Sequence, residues 1–127
     1  MKTIKGPAVF LAQFVDKSEP FNSLVGMCKW ASGLGYKGVQ IPTWESSLID
    51  LDKASNSQDY CDELIGKVRS YGLEITELST HLQGQLVAVH PAYDLMFDNF
   101  APDNLKKNPK GRTKCEVETV KKAAIAS

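Results

Sequence analysis

A continuous apolar run near the start of the chain is the feature that most constrains its fold. Residues 8–14 read Ala-Val-Phe-Leu-Ala-Gln-Phe, so only one side chain of the seven is polar. Such runs are typical of strands covered on both faces, as in parallel sheets. Parallel strands need crossover connections, which are usually helices. The run therefore predicts a parallel α/β fold if helices and strands alternate after it.

The rest of the chain has that alternation. Two more strands are predicted at residues 37–42 and 73–79, each just after a glycine suited to end a helix in the left-handed conformation, Gly35 and Gly72. Helices are predicted at residues 22–34, 57–70 and 116–126, with Asn108–Pro109 as a capping pair before the last. Strands separated by one βα unit and joined by right-handed crossovers lie parallel in one sheet.

The fold class that we predict is α/β, as the N-terminal βαβαβα portion of a (β/α)8 TIM barrel with outer helices. The 127 residues are enough for one domain, whereas a whole barrel needs about 250. Apolar residues keep helical spacing to the end of the chain, at Val117, Val120, Ala124 and Ile125, with no capping residue after them. We therefore expect residues 1–127 to be one partial barrel domain, truncated at its C-terminus. Two alternatives stay open: a self-contained small α/β binding module, and a split barrel that needs a complementing half.

Composition argues against several classes of partner. Fifteen Lys and Arg balance fifteen Asp and Glu, which leaves no basic surface for nucleic acid or an anionic membrane. No apolar run approaches the roughly 20 residues that span a bilayer. The run at 8–14 is interrupted by Gln13 and followed by Asp16, unlike a secretion signal. The cysteines Cys28, Cys61 and Cys115 are odd in number and far apart, which favours a reduced, cytoplasmic protein.

Candidate site residues follow from topology, because parallel α/β folds bind ligands at the carboxyl ends of their strands. The residues at those ends are Gln13, Phe14 and Asp16; Thr43, Trp44 and Glu45; and Thr80, His81, Gln83 and Gln85. Amide and imidazole groups pair with sugar hydroxyls, and an aromatic ring packs on the C–H face of a sugar. Of these we single out His81, Trp44 and Gln13 as substrate-binding candidates. Each has a structural alternative: a hydrogen-bonded histidine, a plug for the barrel mouth and a buried spacer.

Other motifs are weak. The chain has no phosphate loop, dinucleotide fingerprint, nucleophile elbow or HExxH motif. His81 and His90 are its two histidines, and a metal site would need more ligands beside them. Residues 92–100 place three aromatic side chains beside acids, which fits a lid, an interaction surface or a packed loop.

Three segments carry a family resemblance: residues 38–44, 73–86 and 90–94. They resemble the sugar phosphate isomerase/epimerase family, which consists of xylose-isomerase-like TIM barrels related at the fold level to endonuclease IV. The resemblance implies metal-assisted proton transfer on a ketose, an aldose or a related polyol. A divalent metal (Mn, Mg, Co or Zn) would act as Lewis acid and template, and carboxylates as general base and acid.

The family's metal ligands, two Glu, an Asp and a His, lie on later strands that this chain does not contain. No metal ligand or catalytic carboxylate can therefore be assigned here, and the chain alone is expected to be inactive. The resemblance carries over only His81 and, more loosely, Trp44 and Gln13, as residues on the substrate side. In the endonuclease IV branch early histidines bind zinc, which leaves a ligand role for His81 as an alternative. The expected partners are a small sugar or sugar phosphate and further copies of the chain, in a homo-oligomer joined through open strand edges.

Overall fold

Strands and helices alternate along residues 5–127, the part of the chain that the computed structural model describes. In chain order the elements are β1 (Ala8–Phe10), α1 (Leu24–Gly33), β2 (Gly38–Pro42), α2 (Leu51–Ala54), α3 (Gln58–Arg69), β3 (Glu74–Ser79), α4 (His81–Gly84), α5 (Asp94–Phe97) and α6 (Pro109–Ala126). Short 3₁₀ turns occupy Leu11–Phe14, Pro91–Tyr93, Asp98–Phe100 and Asp103–Leu105. Within residues 5–127 no helix combines the length and the apolar character needed to cross a membrane.

The three strands form one sheet in the order β1-β2-β3, and both pairings are parallel. Val9 lies opposite Val39, and Val39 lies opposite Ile75. The next residue of β2, Gln40, lies opposite Glu77, so Thr76 is the extra residue of a bulge in β3. This confirms the predicted α/β class with parallel strands. Several α/β folds contain such a sheet, so the TIM-barrel assignment stays a prediction.

Local sequence signals set the ends of the two helices that cover the sheet. The hydroxyl of Ser23 accepts a hydrogen bond from the Gly26 amide at the start of α1, and that of Ser57 accepts one from the Tyr60 amide at the start of α3, both at 3.2 Å. After these helices Gly35 and Gly72 have φ values of +85° and +72°. Both glycines therefore take the left-handed conformation that the sequence predicted.

The core lies on one face of the sheet. Its strand residues include Val9, Val39 and Ile41, and α1 and α3 pack on them and against each other. The buried helix residues are Leu24, Met27, Cys28 and Ala31 of α1 and Leu64 and Val68 of α3. The Ser32 hydroxyl also donates to the Tyr71 carbonyl at 2.7 Å, which joins the ends of the two helices. Both helices thus cover the same face.

The opposite face of the sheet is only partly covered. A Cβ on Gly38 would lie 3.2 Å from the Ala8 Cβ and 2.5 Å from the Thr76 Cγ2, so these three residues share this face. Ala8 and Thr76 are exposed to solvent, and Phe10 and Gln40 are half-buried. A parallel sheet normally has both faces covered, so this arrangement is unusual for a parallel sheet.

The first strand is shorter than the apolar run predicted. It ends at Phe10, and the chain then turns through 3₁₀ geometry over Leu11–Phe14. The turn brings the ring of Phe14 against that of Trp30, with the ring centroids 4.8 Å apart, and Leu11 is fully buried. Apolar periodicity alone does not distinguish a strand from a buried turn, and here the second half of the run forms the turn.

A buried arginine holds the long connection to α6. Arg112 is 0% exposed and donates to Asp94 Oδ1 at 2.6 Å and to Asp98 Oδ1 at 2.7 Å. The second oxygen of Asp98 accepts from the Lys107 amide at 2.8 Å, and Lys107 has a φ of +61°. Asn108 caps the helix as predicted, with its Oδ1 accepting from the Gly111 amide. The helix begins at Pro109, earlier than the stretch predicted at residues 116–126.

The buried stripe of α6 differs from the one that the sequence indicated. The buried residues are Arg112, Glu116 and Ala123. Val117 and Val120 are only half-buried, Ala124 is exposed, and Ile125 is 69% exposed. The apolar stripe is present in the sequence, but polar side chains occupy much of the face that packs on the rest of the protein.

Candidate functional site

Hydrogen bonds join the carboxyl ends of β2 and β3. Thr43 follows β2, and both its amide and its hydroxyl donate to the Ser79 carbonyl at the end of β3, at 3.0 and 2.9 Å. The side-chain amide of Gln83, on α4, donates in turn to the Thr43 hydroxyl oxygen at 3.1 Å. All three residues are buried. This edge of the sheet is therefore fixed before any ligand arrives.

The orientation of the Gln83 amide follows from this chain of bonds. The Thr43 hydroxyl gives its one proton to Ser79, so its oxygen can only accept from Gln83. The nitrogen of the Gln83 amide must then face Thr43. Within the described residues the Gln83 oxygen, Oε1, has no hydrogen-bond partner although it is buried. A buried carbonyl oxygen without a partner is costly, because it has lost its hydration and gained no hydrogen bond in return.

Trp44 links the end of β1 to the same edge. Its ring meets the Phe10 ring edge-on, with centroids 6.2 Å apart and an interplanar angle of 83°. The indole is half-buried and lines two clefts that share the Gln83 side chain. Residues from the ends of all three strands therefore meet at one place, as expected for a parallel α/β fold.

The two clefts differ in character. The first, which we call the acidic cleft, has a volume of about 470 Å³ and is lined by residues that include Thr43, Trp44, Asp50, Asp52, Gln83 and Lys122. The second, the apolar cleft, has a volume of about 430 Å³ and is lined by residues that include Trp44, Gln83, Leu86, Phe100, Glu116 and Thr119. Volumes of this size suit a small molecule.

The charges of the acidic cleft are largely paired. The ammonium of Lys122 forms an ion pair with Asp52. Asp50 caps α2, where Oδ1 accepts from the Lys53 amide at 3.0 Å. That backbone hydrogen bond lowers the pKa of Asp50, with the Lys53 ammonium as a further contribution, so the carboxylate stays ionised. The two carboxylates of Asp50 and Asp52 thus line the cleft with a single ammonium, that of Lys122, so its lining carries a net negative charge.

Glu116 is the ionisable side chain of the apolar cleft with an altered pKa. The residue is 5% exposed, and burial raises the pKa of its carboxyl group. Burial disfavours the charged form because the carboxylate loses its hydration. The apolar cleft therefore offers an aromatic ring and a carboxyl group that is more readily neutral than usual.

The structure separates the three substrate-binding candidates. Trp44 lines both clefts. His81 is exposed at the first residue of α4, and Gln13 is exposed in the 3₁₀ turn after β1. Neither His81 nor Gln13 lines the acidic or the apolar cleft. A substrate role for these two residues stays a prediction. The other histidine, His90, caps a 3₁₀ turn by accepting from the Ala92 amide.

Sequence reasoning missed the contribution of α6. Glu116 and Thr119 line the apolar cleft, yet the apolar stripe of α6 pointed to Val117 and Val120 as its packing face. One signal could have found them: Arg112, Glu116, Thr119 and Ala123 also recur at helical spacing.

The described residues do not fit a divalent metal. Within residues 5–127 no three His, Cys, Asp or Glu side chains lie close enough together to hold an ion. Cys28, Cys61 and Cys115 are free thiols. The metal that the resemblance implies was predicted to bind residues outside this chain, and that prediction stays untested.

No protein-family model matches the chain, and no curated protein matches it either. The family resemblance stated from the sequence gains no support from these comparisons and stays a prediction.

Proposed function

We propose that this chain supplies the first three βα units and part of the sugar-binding edge of a (β/α)8 isomerase- or epimerase-like protein. The observation that carries the proposal is the parallel sheet with helices packed on one face only. In a barrel the other face is filled by side chains from the remaining strands. Sequential strand order with both covering helices on one side is the arrangement that a barrel wall requires.

The outer surface of α6 supports the same proposal. Its half-buried and exposed apolar residues, Val117, Val120, Ala124 and Ile125, form a stripe that the rest of the described chain covers only in part. The outer helices of a barrel pack against their neighbours on both sides, so a further βα unit would cover this stripe.

The chemistry of the strand ends supports a sugar as the ligand. Trp44 offers a ring on which the C–H face of a sugar packs, and Gln83 and Thr119 offer polar groups beside it. Because Thr43, Ser79 and Gln83 are already hydrogen-bonded to one another, little order is lost when a ligand binds.

Sugar binding is tested by titrating the ¹⁵N-labelled protein with aldoses and ketoses and following the backbone amide signals of Gln83 and Thr119, which line the apolar cleft. We expect saturable shifts that disappear in Trp44→Ala. Trp30→Phe is the matched control, because Trp30 packs among Phe14, Phe21 and Tyr36, none of which lines either cleft. Unchanged sugar shifts in Trp44→Ala would contradict the proposed site.

Catalysis is a separate test. We expect no interconversion of aldose and ketose by this chain with added Mn²⁺, because residues 5–127 offer no three-ligand set for the ion. Proton transfer in the proposed protein would use carboxylates on later strands. Measurable turnover by the chain alone would show that those carboxylates are not needed.

A self-contained binding module is the second candidate, and the packing of α6 favours it. The last turns of this helix fold back on the domain: Lys122 pairs with Asp52, and Ala126 packs against the core. Sedimentation and thermal melting separate the two candidates. The barrel proposal predicts self-association through open strand edges or a marginal melt. A monomer with a cooperative melt would favour the module.

A further inference from the structure

We infer that the apolar cleft binds a primary ammonium group, which the carboxylate of Glu116 holds beside the ring of Trp44. The inference deepens the proposed function and rests on it for the rest of the ligand: with a sugar bound there, the ligand is an amino sugar. Three observations carry it: an unpaired carboxyl group that opens into the cleft, the hydrogen-bonding character of its polar neighbours, and the charge of the adjoining acidic cleft.

The carboxyl group of Glu116 is unpaired and still reachable, although the residue is only 5% exposed. Among the described residues, the side-chain nitrogen and oxygen atoms that are both fully enclosed and unpaired are Gln83 Oε1, Gln85 Nε2 and Arg112 Nε. The two oxygens of Glu116 are not among them, and they accept no hydrogen bond from a described residue, so each keeps accessible surface. Glu116 lines the apolar cleft and not the acidic one, so this surface opens into the apolar cleft.

No cation within the described residues compensates this carboxyl group. Burial raises its pKa, and no charged neighbour contributes to the shift. Arg112 and Lys122, which lie on the same helix, pair with aspartates outside it. A ligand that brings its own cation would give the Glu116 carboxylate a charge-assisted hydrogen bond in place of the hydration that it lost.

The polar side chains beside the carboxyl group accept hydrogen bonds rather than donate them. Thr119, which also lines the cleft, donates its hydroxyl proton to the Cys115 carbonyl at 3.0 Å, so its oxygen can only accept. The amide nitrogen of Gln83 is already bound to Thr43. Among the lining side chains the Trp44 indole is the strong donor that remains. An ammonium group donates three hydrogen bonds and accepts none, so it matches this lining, whereas an anionic group does not.

The surroundings of the carboxyl group also favour a cation. Trp44 lines the cleft, and a cation over the face of an indole is attracted by the negative face of the ring. The acidic cleft shares Trp44 and Thr119 with the apolar cleft, and its carboxylates, Asp50 and Asp52, outnumber its ammonium, Lys122. The field of this lining attracts a cationic ligand and repels an anionic one.

The test compares two matched pairs of probes at neutral pH, where both amines are largely protonated: D-glucosamine with D-glucose, and cyclohexylamine with cyclohexanol. Binding is followed by the backbone amide signals of Gln83 and Thr119 in the ¹⁵N-labelled full chain. We expect the Kd of each amine to be lower than that of its uncharged partner by about tenfold, the effect of one hydrogen bond to a charged group.

Glu116→Gln keeps the size of the side chain, removes its charge and should abolish the preference for the amines. Glu118→Gln, on the exposed side of α6, is the matched control and should preserve it, since Glu118 pairs with Lys121 and lines neither cleft. The comparison of amines with uncharged probes in the unmodified chain tests the inference even where Glu116→Gln lowers stability.

The four probes separate this inference from the proposed function. Equal affinity for D-glucosamine and D-glucose would refute the ammonium site and leave the proposed sugar site standing. Binding of cyclohexylamine but of neither sugar would support the ammonium site and refute the sugar-binding function. A preference for amines that Glu116→Gln leaves unchanged would overturn the assignment to this carboxylate, and shifts with none of the probes would refute both proposals.

Discussion

Replacing Arg112 with Met tests how the long connection is fixed to α6. The guanidinium is fully buried and pairs with Asp98, whose side chain is 11% exposed, and with Asp94, whose side chain is 25% exposed. It also donates to the Asp94 carbonyl at 3.1 Å. Removing one partner of a buried ion pair costs about 3–5 kcal/mol, because the remaining charge is left without compensation. We expect the lower part of this range, since water reaches part of Asp94.

The loss is large compared with the roughly 5–15 kcal/mol by which a domain is stable. Urea unfolding followed by circular dichroism should show the midpoint lowered by about 1–3 M, given slopes of about 1–3 kcal/mol/M for small proteins. Asp98→Asn in the Arg112→Met background should recover part of the loss, because it removes the carboxylate left buried without its partner. Lys121→Met is the control on the same helix; it breaks an exposed ion pair and should leave the midpoint unchanged.

A change of less than about 1 kcal/mol in Arg112→Met, with an unchanged slope, would refute this reasoning. It would mean that the guanidinium and both carboxylates are as well solvated in the folded protein as in the unfolded chain. A recovery by Asp98→Asn larger than the loss itself would instead show that the carboxylate, not the pair, dominates the energy.

Three further predictions concern single sites. Gly38→Ala places a Cβ 2.5 Å from Thr76 Cγ2 and should lower the free energy of unfolding by about 1–3 kcal/mol. Gly66→Ala, where α3 leaves open space for a Cβ, should raise it by about 0.5–1 kcal/mol, and thermal melts of the two variants test both values. Because burial raises the pKa of Glu116, the folded state binds more protons than the unfolded chain, so the free energy of unfolding falls as pH rises through the folded pKa. Urea midpoints measured across about pH 4–8 should therefore fall less in Glu116→Gln than in the unmodified protein. Burial raises the pKa of Cys28 to about 11, so iodoacetamide at about pH 8 should modify the native thiol much more slowly than Cys115; equal rates would contradict its burial.

Much of the fold was predictable because short local signals mark it. Ser23 and Ser57 cap their helices, Gly35 and Gly72 end them, and Asn108 caps α6, each through a contact within a few residues along the chain. The end of β1 was not predictable in this way. The turn that ends it places Phe14 against Trp30, which is 16 residues further along the chain, and the local pattern does not contain that contact.

The candidate site was partly predictable for the same reason. Topology alone placed Trp44 and Gln83 at the carboxyl edge of the sheet. His81 and Gln83 are two residues apart on α4, about 200° around a helix, so burying Gln83 turns His81 to solvent. Glu116 was missed because the buried face of α6 is determined by the ion pairs of Arg112 with a distant segment.

Asp98 connects the wall of the apolar cleft to the start of α6. One of its oxygens holds the guanidinium at the start of α6, and the other holds the Lys107 amide in a left-handed backbone conformation. Phe100, two residues away, forms part of the wall of the apolar cleft. The wall and the first turn of α6 therefore share one electrostatic anchor. Occupancy of the cleft and order at the start of that helix should be thermodynamically linked, each stabilising the other by the same free energy.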